Sequence, residues 1–420
     1  MIQQTLFPRL LCTLTVTLSL ALGSALAAQE TPKLPEASKA PLPGMGTTKG
    51  PFAPGIQPDM LWDGRKLAPF HALDLPKMVK ASEADDFIEP SEYILGVTVQ
   101  GQSRAYPSRF IGWHHIVNDK VTTPNKGDTW FAVTYCSVCN TGIRYDLALN
   151  GKPIKLDFYG LYNGVVTLCD RESESVFLHV SGKFINGPLL GKELTPEPLL
   201  DTTWGEWKRL HPDTLIMSPD NEYSARYRPK GQPVQRGNTR FGMPYFQASV
   251  TRGDKRLPPF EKVLGVTLVK RGADGTETGT VLRRAYPIKA LQDAGGVCND
   301  NLGEMPAAVF FDPKTISACA VSRLLDGKTL TFEARKAQDD TVAYYDKETG
   351  TRWSIEGKAE EGTLAGKSLE RLDAHLSQWY GWFAYFPDTT IYGHTEPPQP
   401  GNPFDAPAEK SAPGGVEKKP

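Results

Sequence analysis

Apolar and polar positions alternate over short stretches through most of the chain. Tyr93–Val99, Trp130–Tyr135, Ile154–Tyr159 and Val176–Val180 are enriched in β-branched and aromatic residues, the pattern of half-buried strands. Turn pairs such as Asn150-Gly151 and Asp326-Gly327 separate such runs. One stretch has helical spacing instead. Trp204 and Trp207 stand three apart ahead of Pro212, which predicts a short helix over Trp204–His211 with both indoles buried against a sheet. At the N-terminus, Arg9 precedes an apolar run over 10–22 and then Ala25-Leu26-Ala27. That is the layout of a cleaved export signal, and the run is too short to span a bilayer. The expectation is a mature protein secreted across the inner membrane to the periplasm, with no membrane span. Segments 28–60 and 396–420 are rich in Pro, Gly, Lys and Ala without apolar periodicity and read as a tether and a tail.

The pattern repeats once within the chain. Glu92–Thr98 matches Glu261–Thr267, Arg104–Pro107 matches Arg284–Pro287, and Asn118-Asp119 matches Asn299-Asp300. Gly187–Leu194 matches Gly362–Leu369, and Trp204, Trp207 and Pro212–Thr214 match Trp379, Trp382 and Pro387–Thr389. Matches in one order at one spacing indicate an internal duplication. The predicted fold is mainly β, a β-rich α+β arrangement of two tandem related domains, each with one short Trp-containing helix. The predicted boundaries are a signal peptide over 1–27, a Pro/Gly-rich tether and lead-in over 28–85, and a first repeat over 86–220. A linker over 221–258, a second, degenerate repeat over 259–395 and a Pro-rich tail over 396–420 complete the chain.

Composition narrows the function. With 47 Lys+Arg against 48 Asp+Glu the net charge is −1, which argues against a nucleic-acid partner. Removing Cys12 with the signal leaves Cys136, Cys139, Cys169, Cys298 and Cys319. An odd number in an oxidising compartment implies a thiol that is free, metal-bound or paired between chains. Positions kept in both copies are explained by packing and turns, so what only one copy has is the better candidate for chemistry. Cys136-Ser137-Val138-Cys139 faces Asp312-Pro313-Lys314-Thr315, and His114-His115 faces Gly295-Gly296. His211 faces Phe386 and reads as a packing ring. Asp170-Arg171-Glu172 is echoed by Asp346-Lys347-Glu348 and reads as a turn or ion-pair element. No Gly-x-Ser-x-Gly, phosphate loop or His-Glu-x-x-His occurs.

The run Ala105-Tyr106-Pro107, Trp113–Asp119, Ala132–Asn140, Asp170-Arg171, Gly191-Lys192 and His211-Pro212-Asp213 resembles the bacterial family called domain of unknown function 3179. The first copy carries nearly all its hallmarks and the second is a worn version. The resemblance implies His-Glu where this chain has His114-His115, Cys-Pro-x-Cys where it has Cys136-Ser137, and Tyr where it has Cys169. It implies no activity.

Three readings of the C-x-x-C remain open. A strand, the cysteine pair, residues tolerant of positive φ and a second strand make a metal knuckle, and His114 or His115 would complete a copper or zinc site with Cys136 and Cys139. Alternatively, Cys136 and Cys139 form a structural disulfide in a non-enzymatic module whose partner is another envelope protein. The third reading is a periplasmic thiol–disulfide oxidoreductase, although the strand-like sequence after Cys139 lacks the helix that ordinarily acidifies such a thiol. Cys298 and Cys319 are a candidate structural disulfide, leaving Cys169 as the odd thiol.

Overall fold

The computed structural model describes residues 42–68, 70–232, 244–271, 277–336 and 341–401. The expected export signal and most of the tail lie outside the described residues. Ten main strands and two helices make up the first repeat: β1 Tyr93–Val99, β2 Gln102–Pro107, α1 Ser108–His114, β3 Ile116–Thr123, β4 Gly127–Cys136 and β5 Thr141–Asp146, followed by β6 Leu156–Tyr162, β7 Val165–Asp170, β8 Val176–Leu178, β9 Leu200–Thr203, α2 Trp204–Leu210 and β10 Leu215–Met217. The second repeat runs in the same order. It comprises β11 Lys262–Arg271, β12 Glu277–Pro287, α3 Ile288–Asp293, β13 Val297–Leu302, β14 Met305–Asp312 and β15 Ser317–Ser322. It continues with β16 Phe332–Lys336, β17 Val342–Asp346, β18 Arg352–Trp353, β19 Asp373–Gln378, α4 Trp379–Phe383 and β20 Thr390–Ile391.

The sheets correspond as well. The order β9-β1-β2-β10 in one repeat matches β19-β11-β12-β20 in the other, and β3-β4-β5 matches β13-β14-β15. In both, the last strand joins the second in parallel. The same side-chain bonds recur at matched positions. Asp119 accepts from Arg104 (2.5 Å) and Tyr106 (2.6 Å), as Asp300 does from Arg284 (2.5 Å) and Tyr286 (2.8 Å). Trp207 Nε1 donates to Thr214 and Trp382 Nε1 to Thr389. Gly96 and Gly265 explain why these indoles fit: a Cβ there would stand 2.3 Å from the Trp207 ring and 2.1 Å from the Trp382 ring. All four tryptophans of α2 and α4 are buried, and truncating a Trp so placed typically costs about 3–5 kcal/mol.

The two repeats share their hydrophobic cores. One core joins Ile116, Ala132 and Tyr145 to Val263, Trp379 and Trp382; another joins Ile94, Trp204 and Trp207 to Phe310, Tyr344 and Trp353. Strand β9 packs on β15, and reciprocally β19 packs on β5. Each repeat thus covers an apolar sheet face of the other, and neither face could stay in water at low cost.

Three further differences from the sequence reading have local causes. Residues 42–60, read as tether, lie along the first repeat, where Met45 bridges Trp62, Phe52 bridges Asn186, and Ile56 packs beside buried Tyr159. The linker is also packed. Arg109 donates to Arg228 O, Phe246 is fully buried, and Arg256 pairs with buried Asp254 at 2.8 Å. Helices α1 and α3, of seven and six residues, are too short to show a period of 3.6 in sequence.

Candidate functional site

Strand β4 ends at Cys136, which stands opposite Thr141, the first residue of β5. The turn between them closes because Asn140 takes φ 54°. Cys139 N–H donates to Cys136 Sγ (3.4 Å), Cys139 Sγ–H donates to Thr141 Oγ1 (3.1 Å), and Thr141 Oγ1–H points back to Cys139 O (3.4 Å). Both sulfurs are free thiols and fully buried.

The cover comes from the second repeat. Gln378 N–H donates to Cys139 O (3.0 Å), and α4 passes so close that a Cβ on Gly381 would stand 3.1 Å from the Cys139 Cβ and 3.2 Å from Ser377 Oγ. The thiols differ in acidity. Burial disfavours a Cys136 thiolate, but the Cys139 thiol and the backbone N–H groups of Val166, Cys139 and Val138 more than offset it, drawing the group down to about 7. Burial and the neighbouring Cys136 charge push Cys139 up.

A polar seam continues from this turn along the joint between repeats. Thr134, two residues before Cys136 on β4, donates to Ile143 O (2.8 Å), so it accepts from His179 Nε2 at 2.9 Å. That fixes the His179 tautomer and leaves its Nδ1 lone pair buried without a hydrogen-bond partner among the described residues. His375, two residues before Ser377 on β19, also has a buried, unpartnered nitrogen, Nε2. Burial holds both imidazoles neutral, lowering each to about 3; at His179 the nearby His375 and His115 add to the effect. Farther along β19, burial raises Asp373 to about 7, opposed by Arg283 and reinforced by Glu197.

The predicted histidine ligands lie elsewhere. His114 sits under a cage of Trp113, Tyr223 and Tyr227. Its Nδ1 meets His71 O (2.7 Å) and its Nε2 meets Tyr227 Oη (2.6 Å), so both ring nitrogens are engaged. Burial lowers it to about 4. His115 ends α1 at φ 64°, donates from Nδ1 to Tyr135 O (2.8 Å), and packs against Phe70 and Phe158. Gly296 answers it in the second repeat, where Phe311 N–H bonds Gly296 O as Tyr135 N–H bonds His115 O. A non-glycine residue thus holds a left-handed conformation that the other copy assigns to glycine, at a cost of about 1–2 kcal/mol. Among the described residues no group of three His, Cys, Asp or Glu converges on a point able to hold a metal ion.

The remaining cysteines resolve simply. Cys298 and Cys319 are both free thiols, which corrects the expected disulfide. Cys298 stands opposite Val309 and Cys319 opposite Phe310. Val309 and Phe310 are successive residues of β14, so the two thiols belong to opposite faces of one sheet and pack in different cores. Cys169 is buried beside a pocket of about 360 Å³ lined by Arg65, His71, Arg171 and Tyr223. Burial raises its thiol to about 12, far from a reactive thiolate. Asp170 caps its turn through Ser173 N–H and Oγ, as Asp346 does through Thr349. His211 stacks on Trp207, as expected, and also bonds Ser103 Oγ (2.9 Å) and Glu356 (2.7 Å).

His179 and His375 escaped the sequence reading. A signal existed for both: the pairing of His375 with Gly265 and of Leu200 with Gly96 makes Leu200 the counterpart of His375, and the matched Gly182 and Gly357 make Ser354 the counterpart of His179, so each imidazole is a feature of one copy only.

Residues 69–389 match the family described as protein of unknown function (DUF3179), and the chain belongs to that family. No curated protein matches the chain, and no solved structure does.

Proposed function

We propose that this member of the DUF3179 family works through a redox-active dithiol, Cys136 as the nucleophilic thiolate and Cys139 as the resolving thiol. The observation that carries the reading is the matched turn of the second repeat. There Asp312 accepts from Lys314 N–H (2.9 Å) and Thr315 Oγ1 (2.8 Å), and Thr315 meets Ser317 Oγ (2.7 Å). In the first repeat Cys136 accepts from Cys139 N–H and Cys139 Sγ donates to Thr141 Oγ1, so sulfur stands where Asp312 and Thr315 present oxygen. A turn that seats a carboxylate in one copy favours an anion in the other, and at Cys136 that anion is a thiolate.

In the proposed exchange the Cys136 thiolate attacks one sulfur of a partner's disulfide, and the partner's other sulfur leaves as a thiolate. Cys139 then attacks Cys136 Sγ, its proton passing to the departing partner thiolate. The partner is left with one thiol and one thiolate, the thiolate taking its proton from water, as Cys136–Cys139 becomes a disulfide. Both sulfurs lie under α4, so exchange requires that helix to lift. The export pattern of residues 1–27 supports a periplasmic setting, where such disulfides persist.

A second reading keeps copper or zinc on Cys136 and Cys139. It draws on the two free thiols of one turn, soft donors of the kind such ions take, although no third His, Cys, Asp or Glu converges with them among the described residues. One experiment separates the readings: mass-tagged thiol counting of the mature chain across glutathione redox buffers, with metal content measured on the same sample. Reversible loss of both tags from Cys136 and Cys139, with a Cys136 alkylation midpoint near pH 7, is the expected result. About one copper or zinc per chain that vanishes in Cys136→Ser/Cys139→Ser selects the metal site. A disulfide that never opens in reducing buffer leaves a structural bond and a binding module.

A further inference from the structure

Beyond the dithiol, the two joints between repeats differ in how they are closed. On one side a clasp spans the joint: His211 Nε2 bonds Glu356 (2.7 Å), Glu356 pairs with Arg371 (3.0 Å), and Arg371 donates to Leu199 O (3.0 Å). The counterparts on the other side can be identified from the backbone. Gly182 and Gly357 both have positive φ, and each accepts from the matched leucine, Leu194 or Leu369. The residue before Gly357 is Glu356 and the residue before Gly182 is Ser181. His211 and Phe386 each accept at O from the following Thr N–H, Thr214 or Thr389. The clasp pair His211–Glu356 therefore corresponds to Phe386 and Ser181, which cannot form an ion pair.

In place of the clasp there is a cleft of about 590 Å³. Ser181 Oγ lies buried in its wall with no hydrogen-bond partner among the described residues. Lys183, Lys192, Arg252 and Arg283 line it against Glu193 and Asp388. Arg283 is committed to Asp388 (3.2 Å) and lies over the Phe386 ring. Lys183, Lys192 and Arg252 form no ion pair among the described residues. Ile56, Tyr385 and Phe386 supply an apolar floor.

We infer that this cleft is a binding site for a small amphipathic anion, an aliphatic or aromatic body carrying a carboxylate, sulfonate or phosphate. The body takes the Ile56 and Phe386 floor, and the anionic group meets Lys183 and Arg252. The size and mixed lining suit a small ligand, and a cationic rim selects its charge.

The probe is anilinonaphthalene sulfonate, titrated by fluorescence into the mature chain. Saturable one-site binding that weakens by about ten-fold or more in Lys183→Glu/Arg252→Glu is expected from reversing two rim charges. Octanoate displacing the dye supports the site. Ser181→Glu/Phe386→His, which transplants the clasp into the cleft, should also abolish binding, with the melting temperature checked in parallel. Non-saturable binding, equal affinity in Lys183→Glu/Arg252→Glu, or failure of octanoate to displace overturns the inference. Both rim residues are exposed, so their substitution leaves folding intact.

Discussion

The turns 136–140 and 312–316 occupy the same place in the two repeats and do the same mechanical job with different atoms. Asp312 and Thr315 close one through oxygen, while Cys136 and Cys139 close the other through sulfur. Positive φ at Ile316 and at Asn140 ends both. Hairpin closure therefore does not require sulfur, because the oxygen version accomplishes it in the same chain. The surroundings diverge in step. Beside the sulfur turn, His179 bonds Thr134 on the same strand, and Leu200 stands at the position corresponding to His375. One joint is clasped and the other is open. The buried thiols and the open cleft go with one joint, and the clasp with the other.

The largest expected effect tests the shared scaffold. Asp119 and Arg104 are more deeply buried, with side chains 4% and 11% exposed, than Asp300 and Arg284 at 16% and 25%. Asp119→Ala strands a buried guanidinium and should cost about 3–5 kcal/mol of unfolding free energy. Asp300→Ala should cost clearly less, since water reaches its arginine. Equal losses in urea titrations would mean that the two triads are equally buried in solution.

Next comes acid. His114, His179 and His375 titrate near 4, 3 and 3 when folded, against about 6.5 unfolded. The unfolded chain takes up protons that the folded chain refuses, so this contribution is complete above pH 6.5 and is lost as pH falls toward 4. Asp373, raised to about 7 by burial, acts oppositely: its contribution is full below its unfolded value of 3.8 and fades as pH rises through 7. Three imidazoles against one carboxyl leave a net slope of about 2.7 kcal/mol per pH unit over roughly pH 4–6.5. Urea midpoints measured from pH 4.5 to 7.5 should rise and then level; a flat profile would mean that the imidazoles are not buried neutral.

The smallest effect is the most informative about the two turns. Cys136→Asp/Cys139→Thr installs the oxygen turn in the first repeat and should change stability by no more than about 1 kcal/mol, as a matched polar replacement. All redox or metal behaviour at this site should vanish. A large loss of stability would show that the sulfur turn carries structural weight that its counterpart does not.

Much of this could be read along the chain. The strands Tyr93–Val99 and Trp130–Tyr135, the helix beginning at Trp204, the repeat and the distinctive C-x-x-C turn follow from local alternation, turn residues and self-comparison. The histidines could not be placed that way. His114 and His115 adjoin the Asn118-Asp119 motif and invited a role as ligands, yet a seven-residue helix and residues from both flanking segments, His71 and Tyr227, engage His114 elsewhere. Cys298 and Cys319 looked like a pair only because both occur in one repeat.

The sequence by itself determined the β-rich elements, their twofold repetition and the turn where the two copies part chemically. Neighbours within a few residues settle backbone conformation, and comparison of copies needs no coordinates. Only the tertiary structure decided what surrounds that turn. Each repeat buries its apolar sheet face against the other, and this reciprocal burial brings β19 and α4 over Cys136 and Cys139, seats His375 along the same seam and leaves an open cleft where the other joint has a clasp. Packing between distant segments is driven by area removed from water, which is non-directional, so the residues it brings together carry no spacing by which a sequence could announce them.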